Sequence, residues 1–273
     1  MELIVFDLDG TLLDASSRIS DFTRETLVRL ADRGILYTVA TGRALHASRD
    51  LLEGHGFRLP QAYKNGVLIW NPDVEGYSRH TFLTLAEIRH VVEAVHRAGV
   101  TPFLFTLEPG NRHAVYHEPV RNEVERQLAE DFGDRWGLTI APAAQIPADA
   151  EITNISALGP APAIEAVERQ IADEPGLVAY AGPALEGGDL RWIDIHHGEG
   201  TKGNAVDTLR RELGATRVVC FGDGDNDLSM FATADEAYAP ANATEEVRSA
   251  ATAVVGRHDQ DGIARFLRER FGL

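Results

Sequence analysis

The sequence is short of cysteine and holds a single one, Cys220, among its 273 residues. One cysteine cannot form a disulfide within the chain, and Cys220 lies in an apolar run, so we expect it to pack in the core. This usage favours a cytoplasmic location. No apolar run approaches the ~20 residues of a membrane-spanning helix. Glu2 and Asp7 also interrupt the apolar N-terminus, so we expect neither a membrane partner nor a signal peptide.

Positive charge is scarce as well. The chain has 26 Lys and Arg residues against 42 Asp and Glu residues, a formal net charge of −16 at pH 7. This balance disfavours broad attraction to nucleic acid, so no nucleic-acid partner is expected. An anionic substrate would also be repelled at long range, and a site for one must therefore supply its own positive charge.

Buried strands are indicated by short apolar runs that stop abruptly at acidic residues. Leu3–Phe6 is such a run, and Asp7-Leu8-Asp9-Gly10-Thr11 follows it. The pattern is typical of a strand buried on both faces of a parallel sheet, and ligands of such sheets bind just past the carboxyl ends of the strands. Two carboxylates at such a buried edge repel each other and are costly to desolvate, and a bound cation would reduce both costs. The alternative is that both acids merely cap the next helix.

A second acidic cluster closes a later apolar run. Val218–Phe221 is followed by Gly222–Asp227, which contains three Asp and one Asn in six residues. Oxygen ligands of this kind suit a hard cation. The alternative is a solvated acidic turn, but two acidic clusters that each end a buried strand favour one shared site.

Two further stretches suggest phosphate binding. The run 35–40 reads as a strand that ends at Thr41-Gly42-Arg43, where a hydroxyl beside a helix N-terminus suits a phosphate oxygen. Lys202 opens a predicted helix, a position that the helix dipole disfavours unless an anion lies nearby. We expect Lys202 to be exposed in its loop, and the alternative role is that of an ordinary surface lysine. Asn65-Gly66 predicts a hairpin turn.

The middle of the chain has a different pattern. Thr84-Leu85-Ala86-Glu87 is a capping-box sequence, and Pro- and Gly-rich linkers separate short alternating segments that could form a small sheet domain. The predicted strands are 103–107, 114–117, 152–158, 177–181 and 190–195, and the predicted helices are 84–98, 123–136 and 163–172.

The four motifs together resemble those of the haloacid dehalogenase-like (HAD) phosphatases. Asp7-Leu8-Asp9-Gly10-Thr11 resembles the nucleophile motif of that superfamily, and Thr41, Lys202 and Gly222–Asp227 match the other three motifs in order. The segment between Thr41 and Lys202 resembles the α/β cap of the Cof-type subgroup. The resemblance implies an α/β fold, with a doubly wound parallel-sheet core and an inserted smaller α/β cap domain. The expected division is core at 1–82, cap at 83–190 and core again at 191–273.

The resemblance also implies roles for the motif residues. Asp7 would be the nucleophile and Asp9 the general acid and base, with Thr41 and Lys202 completing the catalytic set. The residues expected to bind phosphate are Thr41, Gly42, Lys202 and Asn226. The expected cofactor is Mg²⁺, held by Asp7, the Asp9 main-chain carbonyl and Asp223, while Asp227 orients a metal-bound water or Lys202.

The expected function is Mg²⁺-dependent hydrolysis of small phosphorylated metabolites, with sugar phosphates ahead of nucleotides and cofactor phosphates. A sugar phosphomutase is the alternative enzyme, and a non-catalytic module that binds a phosphorylated ligand is the alternative outside enzymes. The cap should set the substrate, which the sequence does not name. The cap candidates by residue type alone, each equally suited to surface or cap core, are Arg112, His113, Tyr116 and Trp192. A monomer or a small homo-oligomer is expected.

Overall fold

The computed structural model describes residues 1–134, 136–184 and 187–273. It divides into two compact units, which we call the core unit (Met1–Arg79 with Thr201–Leu273) and the inserted unit (His80–Gly200). Among the described residues, no helix combines the length and the apolarity that a membrane crossing requires.

The strands, numbered along the chain, are β1 (Glu2–Phe6), β2 (Leu36–Val39), β3 (Gln61–Tyr63), β4 (Leu68–Asn71), β5 (Gly76–His80), β6 (Phe103–Glu108), β7 (Arg112–His117), β8 (Thr139–Pro142), β9 (Glu151–Pro160), β10 (Leu177–Pro183), β11 (Leu190–His197), β12 (Arg217–Phe221), β13 (Glu236–Pro240) and β14 (Ala253–Val255). The helices are α1 (Asp21–Asp32), α2 (Arg49–Leu52), α3 (Leu85–Arg97), α4 (Glu123–Asp134), α5 (Ala161–Ile171), α6 (Lys202–Leu213), α7 (Leu228–Thr233), α8 (Glu245–Ala250) and α9 (Gly262–Phe271).

The core unit is built on a five-stranded sheet in the order β14-β13-β12-β1-β2, with every neighbouring pair parallel. Side chains of β1 alternate between the two faces, as strand geometry requires. Leu3 and Val5 pack with α6, α7 and α8, while Ile4 and Phe6 pack with α1 and α9. Helices therefore cover both faces, which confirms the predicted doubly wound α/β fold and explains why β1 reads as an unbroken apolar run.

Capping residues set the ends of α1 and α6. The Ser20 hydroxyl accepts a hydrogen bond from the Thr23 N–H at the start of α1, and Thr201 does the same for Asn204 at the start of α6. α6 ends at Gly214, whose φ of 64° is left-handed. The helix expected after Arg43 is instead a single 3₁₀ turn followed by the short α2.

A small three-stranded sheet, β3-β4-β5, also belongs to this part of the chain. β3 and β4 form an antiparallel pair, and the turn between them contains Lys64, Asn65 and Gly66, all with positive φ. The predicted Asn-Gly turn is therefore confirmed. An isolated parallel bridge between Ala40 and Ala62 joins β3 to the end of β2, so the turn lies close to Thr41.

The inserted unit has a six-stranded sheet in the order β10-β11-β9-β6-β7-β8. Its neighbours are antiparallel except for the parallel β7 and β8. Helices α3 and α5 cover one face, and Phe132 of α4 packs against Phe103 and Phe105 on the other. The predicted strands and helices of this unit are present with small shifts in their ends. The strand β8 was not predicted, and position 135 of the predicted 123–136 helix lies outside the described residues.

The boundaries of the inserted unit differ from those expected. The sequence placed its end at residue 190, whereas the unit continues to Gly200. The reason is β11, which pairs along its length with β10 and β9 and so belongs to the inserted sheet. The first boundary lies between residues 79 and 80 rather than 82 and 83.

Candidate active site

The motif residues gather where the parallel strands of the core unit end. Asp7 directly follows β1, Thr41 lies two residues past β2, and Asp223 lies two residues past β12. The Asp7 N–H donates to the Phe221 carbonyl at 2.9 Å, which continues the strand pairing into the site. The carboxyl ends of parallel strands share one sheet edge, so residues far apart in sequence meet there.

Lys202 lies between two carboxylates. Its Nζ donates to Asp7 Oδ1 at 2.6 Å and to Asp227 Oδ1 at 2.5 Å, and the side chain is 0% exposed. The expectation of an exposed loop lysine is therefore wrong. Burial alone would lower the pKa of Lys202, but the charges of Asp227 and Asp7 outweigh it and raise the pKa above its ordinary value. These two carboxylates also explain how a lysine is tolerated at the first position of α6.

Three carboxylates crowd together beside this lysine. Oxygen atoms of Asp7, Asp223 and Asp227 all lie within 4.8 Å of one another. Burial raises the pKa of Asp7 well above its ordinary value, and the neighbouring carboxylates add to the effect while Lys202 opposes it. Burial likewise raises the pKa of Asp223 to about 6, although the Thr11 hydroxyl donates to its Oδ1 at 2.7 Å. One lysine does not balance two buried carboxylates and a third that is half-buried. This set of carboxylate oxygens fits a divalent cation such as Mg²⁺.

Asp227 is engaged at both oxygens within the protein. Oδ2 accepts from the N–H groups of Asp223 and Gly224, each at 2.9 Å, while Oδ1 accepts from Lys202. This arrangement shapes the acidic loop and holds the lysine. Of the two roles that the sequence suggested for Asp227, it favours the orientation of Lys202.

Asp9 stands apart from this cluster. Its side chain is 52% exposed, and Arg43 binds both carboxylate oxygens, with Nε and Nη2 each donating at 2.6 Å. The next residue, Gly10, has a φ of 72°, and its carbonyl accepts from Asn242 Nδ2 at 2.8 Å. The sequence pattern alone indicates no role for Arg43, although it follows Thr41-Gly42 directly. The only signal was its position two residues after Thr41.

The Thr41 turn is linked to the acidic loop through Asn65. The Asn65 N–H donates to the Thr41 carbonyl at 2.9 Å, and Asn65 Oδ1 accepts from Asn226 Nδ2 at 2.9 Å. A Cβ added at Gly42 would lie 3.1 Å from the same Asn65 oxygen, so Gly42 leaves room for that amide. Asn65, read from the sequence as a turn residue, therefore also connects two of the motifs.

The remaining candidates fall elsewhere. Asp225 of the acidic loop is exposed. In the inserted unit, Arg112 and Tyr116 both donate to Glu108, so their polar groups serve that unit's own structure. Trp192 is 38% exposed on β11.

Comparisons with known proteins identify the family of this chain. A family model described as haloacid dehalogenase-like hydrolase matches residues 4–267. The chain is 26% identical over 288 residues to 5-amino-6-(5-phospho-D-ribitylamino)uracil phosphatase YitU of Bacillus subtilis, covering 99% of this chain and 98% of that protein. It is 23% identical over 277 residues to pyridoxal phosphate phosphatase YbhA of Escherichia coli, covering 97% of each.

A solved structure of a HAD subclass IIB sugar phosphatase matches with a TM-score of 0.78 and 22% identity, over 100% of this chain and 99% of that one. This likeness confirms the fold across both units. Because the family model spans nearly the whole chain and the curated relatives align over almost their full length, the chain belongs to the haloacid dehalogenase-like hydrolases, as a phosphatase of the Cof type.

Proposed function

We propose that the protein is a Mg²⁺-dependent phosphomonoester hydrolase of small phosphorylated metabolites, above all sugar phosphates, that works through an aspartyl-phosphate intermediate. The observation that carries the proposal is the Asp7 carboxylate, which ends a buried strand, accepts a hydrogen bond from buried Lys202 and shares its surroundings with two more carboxylates. Relatives named as phosphatases of a ribityl phosphate, of pyridoxal phosphate and of sugars support the substrate class.

The side chains of Asp7 and Asp223 and the main-chain carbonyl of Asp9 would hold the cation. Asp227 is assigned to Lys202 instead, because both of its oxygens already accept hydrogen bonds. The chemistry that Mg²⁺ supplies in such a site is electrostatic, since it neutralises negative charge on phosphoryl oxygens.

In the first half-reaction an Asp7 oxygen attacks phosphorus. A phosphorus–oxygen bond to Asp7 forms while the bond to the leaving oxygen breaks. Lys202 is charged at neutral pH and offsets the negative charge around the nucleophile. Asp9 donates a proton to the leaving oxygen. Because both Asp9 oxygens accept from Arg43, at least one of these bonds must open for the transfer.

In the second half-reaction Asp9 acts as a base. It takes a proton from a water molecule as that water attacks phosphorus, so inorganic phosphate leaves and the Asp7 carboxylate is restored. Thr41 and Asn226, which Asn65 links at the same sheet edge, are suited to contact the phosphoryl oxygens.

The test is to trap the intermediate in two variants. Asp7→Asn should abolish turnover and acquire no phosphoryl group with any substrate. Asp9→Asn should slow hydrolysis of alkyl and sugar phosphates by roughly 10²–10⁴, yet still accept phosphate from p-nitrophenyl phosphate, whose leaving group needs no proton. Mass spectrometry of quenched Asp9→Asn enzyme should therefore show one added phosphoryl group on Asp7.

Asp225→Asn is the matched control, because Asp225 is an exposed carboxylate of the same acidic loop. It should keep near-parental activity. Chelation should abolish activity in the parent, and added Mg²⁺ should restore it. Phosphate mapped to any residue other than Asp7 would refute the mechanism, and isomerised product in place of free phosphate would identify a mutase.

A further inference from the structure

Two residues from distant loops contact the loop that carries Asp9. This loop, residues 8–13, follows β1, and we call it the Asp9 loop. Asn242 lies two residues past β13, and His258 lies three residues past β14. β1, β13 and β14 belong to the same parallel sheet of the core unit, so the loops at their carboxyl ends lie along one sheet edge.

Hydrogen bonds attach the Asp9 loop to these two residues. Asn242 Nδ2 donates to the Gly10 carbonyl at 2.8 Å. His258 Nδ1 lies 2.7 Å from the Leu13 carbonyl, and because a carbonyl oxygen only accepts, this ring nitrogen must carry the hydrogen. The His258 N–H in turn donates to Asn242 Oδ1 at 3.1 Å. Two carbonyls of the loop are therefore held by two residues that also bind each other.

The position of the Asp9 carboxylate depends on few other contacts. The side chain is 52% exposed, and among the described residues its hydrogen bonds run to Arg43 alone. In the proposed reaction at least one of those bonds opens. Gly10, the next residue, has a left-handed φ of 72° and no side chain that limits its backbone. The hydrogen bond from Asn242 to Gly10 therefore restrains this backbone when Arg43 releases the carboxylate.

Two other roles fit the same contacts less well. Hydrogen bonds that served stability alone would have no reason to end on the residue directly after the proposed acid and base. A role through charge is the second alternative: burial raises the pKa of Asp223 to about 6, and a charge on His258 opposes that shift. The bond from His258 Nδ1 to the Leu13 carbonyl needs no charge, however, because a neutral imidazole can donate from that nitrogen.

We propose that Asn242 and His258 are positioning residues that hold the Asp9 loop for proton transfer. The inference rests on the proposed phosphatase function. Asn242 fixes the Gly10 carbonyl. His258 fixes the Leu13 carbonyl and orients Asn242. The Asp9 carboxyl is thereby kept where it gives its proton to the leaving oxygen and later takes one from the attacking water.

The first experiment compares two kinds of phosphate ester on full-length variants. Asn242→Ala and His258→Ala should lower kcat for D-glucose 6-phosphate and D-ribose 5-phosphate by roughly 10- to 100-fold, because a displaced Asp9 protonates the leaving oxygen poorly. The first release of p-nitrophenol from p-nitrophenyl phosphate should change by less than about threefold, since that leaving group needs no proton. Gln260→Ala, at an exposed residue of the same short turn as His258, should behave as the parent with every ester.

The phosphorylated fraction of the enzyme gives a second readout. Hydrolysis of the intermediate needs Asp9 as a base, so both alanine variants should hold more phosphate on Asp7 than the parent does during turnover of p-nitrophenyl phosphate. Mass spectrometry of quenched samples measures this fraction, which a loss of stability alone would not raise. In combination with Asp9→Asn, neither alanine variant should lower the rates further by more than about twofold.

Conservative variants of His258 separate positioning from charge. His258→Asn places an amide nitrogen close to the position of Nδ1, so it keeps the donor to Leu13 but cannot carry charge. It should retain at least about half of the parental kcat for the sugar phosphates. His258→Gln moves the amide nitrogen toward the position of Nε2 and should resemble His258→Ala. The comparison of these two variants carries the test even where an alanine variant does not fold.

Three outcomes would overturn the inference. One is an equal loss on both kinds of ester, without a rise in phosphoenzyme, in variants that urea denaturation shows to be folded; this would indicate a purely structural role. Another is parental kinetics in both alanine variants. The last is a loss in His258→Asn equal to that in His258→Ala, which would assign His258 to charge.

The same experiments distinguish this inference from the proposed function. If Asp9→Asn itself slowed both kinds of ester equally, the proposed role of Asp9 would fail, and the inference with it. If Asp9→Asn behaved as expected while Asn242→Ala and His258→Ala had no effect, the inference alone would be refuted.

Discussion

Both units of this protein bury a charged side chain, and they satisfy it in different ways. In the core unit, Lys202 is 0% exposed and meets two carboxylates, with a third close by. In the inserted unit, Glu125 is 1% exposed and meets no cation among the described residues. Its oxygens accept instead from the Thr101 N–H at 3.0 Å, from the Thr101 hydroxyl at 2.7 Å and from the Arg121 N–H at 2.6 Å.

The difference distinguishes a functional site from a structural one. Donors around Glu125 come from nearby backbone and one hydroxyl, and the residue lies in the first turn of α4, where the helix dipole favours negative charge. That carboxylate accepts three hydrogen bonds from its own unit, at both of its oxygens. Around Lys202 the carboxylates outnumber the cation, and burial, together with the neighbouring carboxylates, raises the pKa of Asp7 and Asp223. An unbalanced buried cluster of this kind is characteristic of a functional site.

The largest effect should follow from Lys202→Met. Removing the cation leaves Asp7 and Asp227 buried without a compensating positive charge, which should lower the free energy of unfolding by about 3–5 kcal/mol and activity by at least roughly 10³-fold. Because the pKa of Lys202 is raised from 10.5, its stabilising contribution is fully present below that pH and is lost only at higher pH. Urea denaturation and steady-state kinetics measure both losses.

A double variant separates stability from catalysis at this cluster. Lys202→Met with Asp227→Asn removes one charge of each sign, and Asn can still accept from the loop N–H groups. It should regain much of the lost stability while activity stays low. Parental stability in the single Lys202→Met variant would contradict the view that Lys202 balances buried carboxylates.

An intermediate effect is expected at Arg43. Arg43→Ala should slow hydrolysis of alkyl phosphates about 10- to 100-fold, and p-nitrophenyl phosphate less, because Arg43 orients the proton donor Asp9. Arg43→Lys should restore only part of the lost hydrolysis rate, because lysine cannot bind both carboxylate oxygens at once. The effects of Arg43→Ala and Asp9→Asn should not add in the double variant. Full additivity would mean that Arg43 acts on the phosphate rather than through Asp9.

The corresponding change in the inserted unit, Glu125→Gln, should lower stability and leave catalysis unchanged. Glu125→Gln turns one acceptor oxygen into a donor that faces another donor, which should cost about 2 kcal/mol of unfolding free energy. Turnover of p-nitrophenyl phosphate should stay at the parental rate under conditions where the variant is folded. A loss of kcat with that ester in the folded variant would contradict the view that Lys202 is functional and Glu125 is structural.

The smallest effect concerns pH and His46 in the core unit. Burial, together with the charge of Lys64, lowers the pKa of His46 to about 4 from 6.5. The neutral ring is therefore favoured in the folded state, so its stabilising contribution is present above pH 6.5 and is lost as the pH falls toward 4. Between pH 7 and 5 the free energy of unfolding of the parent should fall by about 1 kcal/mol more than that of His46→Gln. This figure is discounted for the partial exposure of the ring. Thermal unfolding of both proteins at both pH values measures how stability changes with pH. An equal change in the parent and in His46→Gln would contradict the prediction.

Much of the site could be predicted because its signals are local. A buried strand that ends at Asp7, and another that ends near Asp223, place both residues at one sheet edge once the strands are parallel. The Arg43–Asp9 pair could not be predicted, since it depends on how the loop after β1 turns at Gly10 and on its tie to Asn242. The link that Asn65 makes to the acidic loop could not be predicted for the same reason. The turn signal of Asn65 is local, whereas its hydrogen bond with Asn226 spans 161 positions.

The sequence by itself determined the parallel sheet, the strand-end carboxylates and the family, because apolar runs and motif spacing are readable along the chain. Tertiary structure alone decided that Lys202 is buried and that β11 belongs to the inserted sheet. Burial, strand pairing and register arise from contacts between distant segments, and no local pattern records which segments will meet.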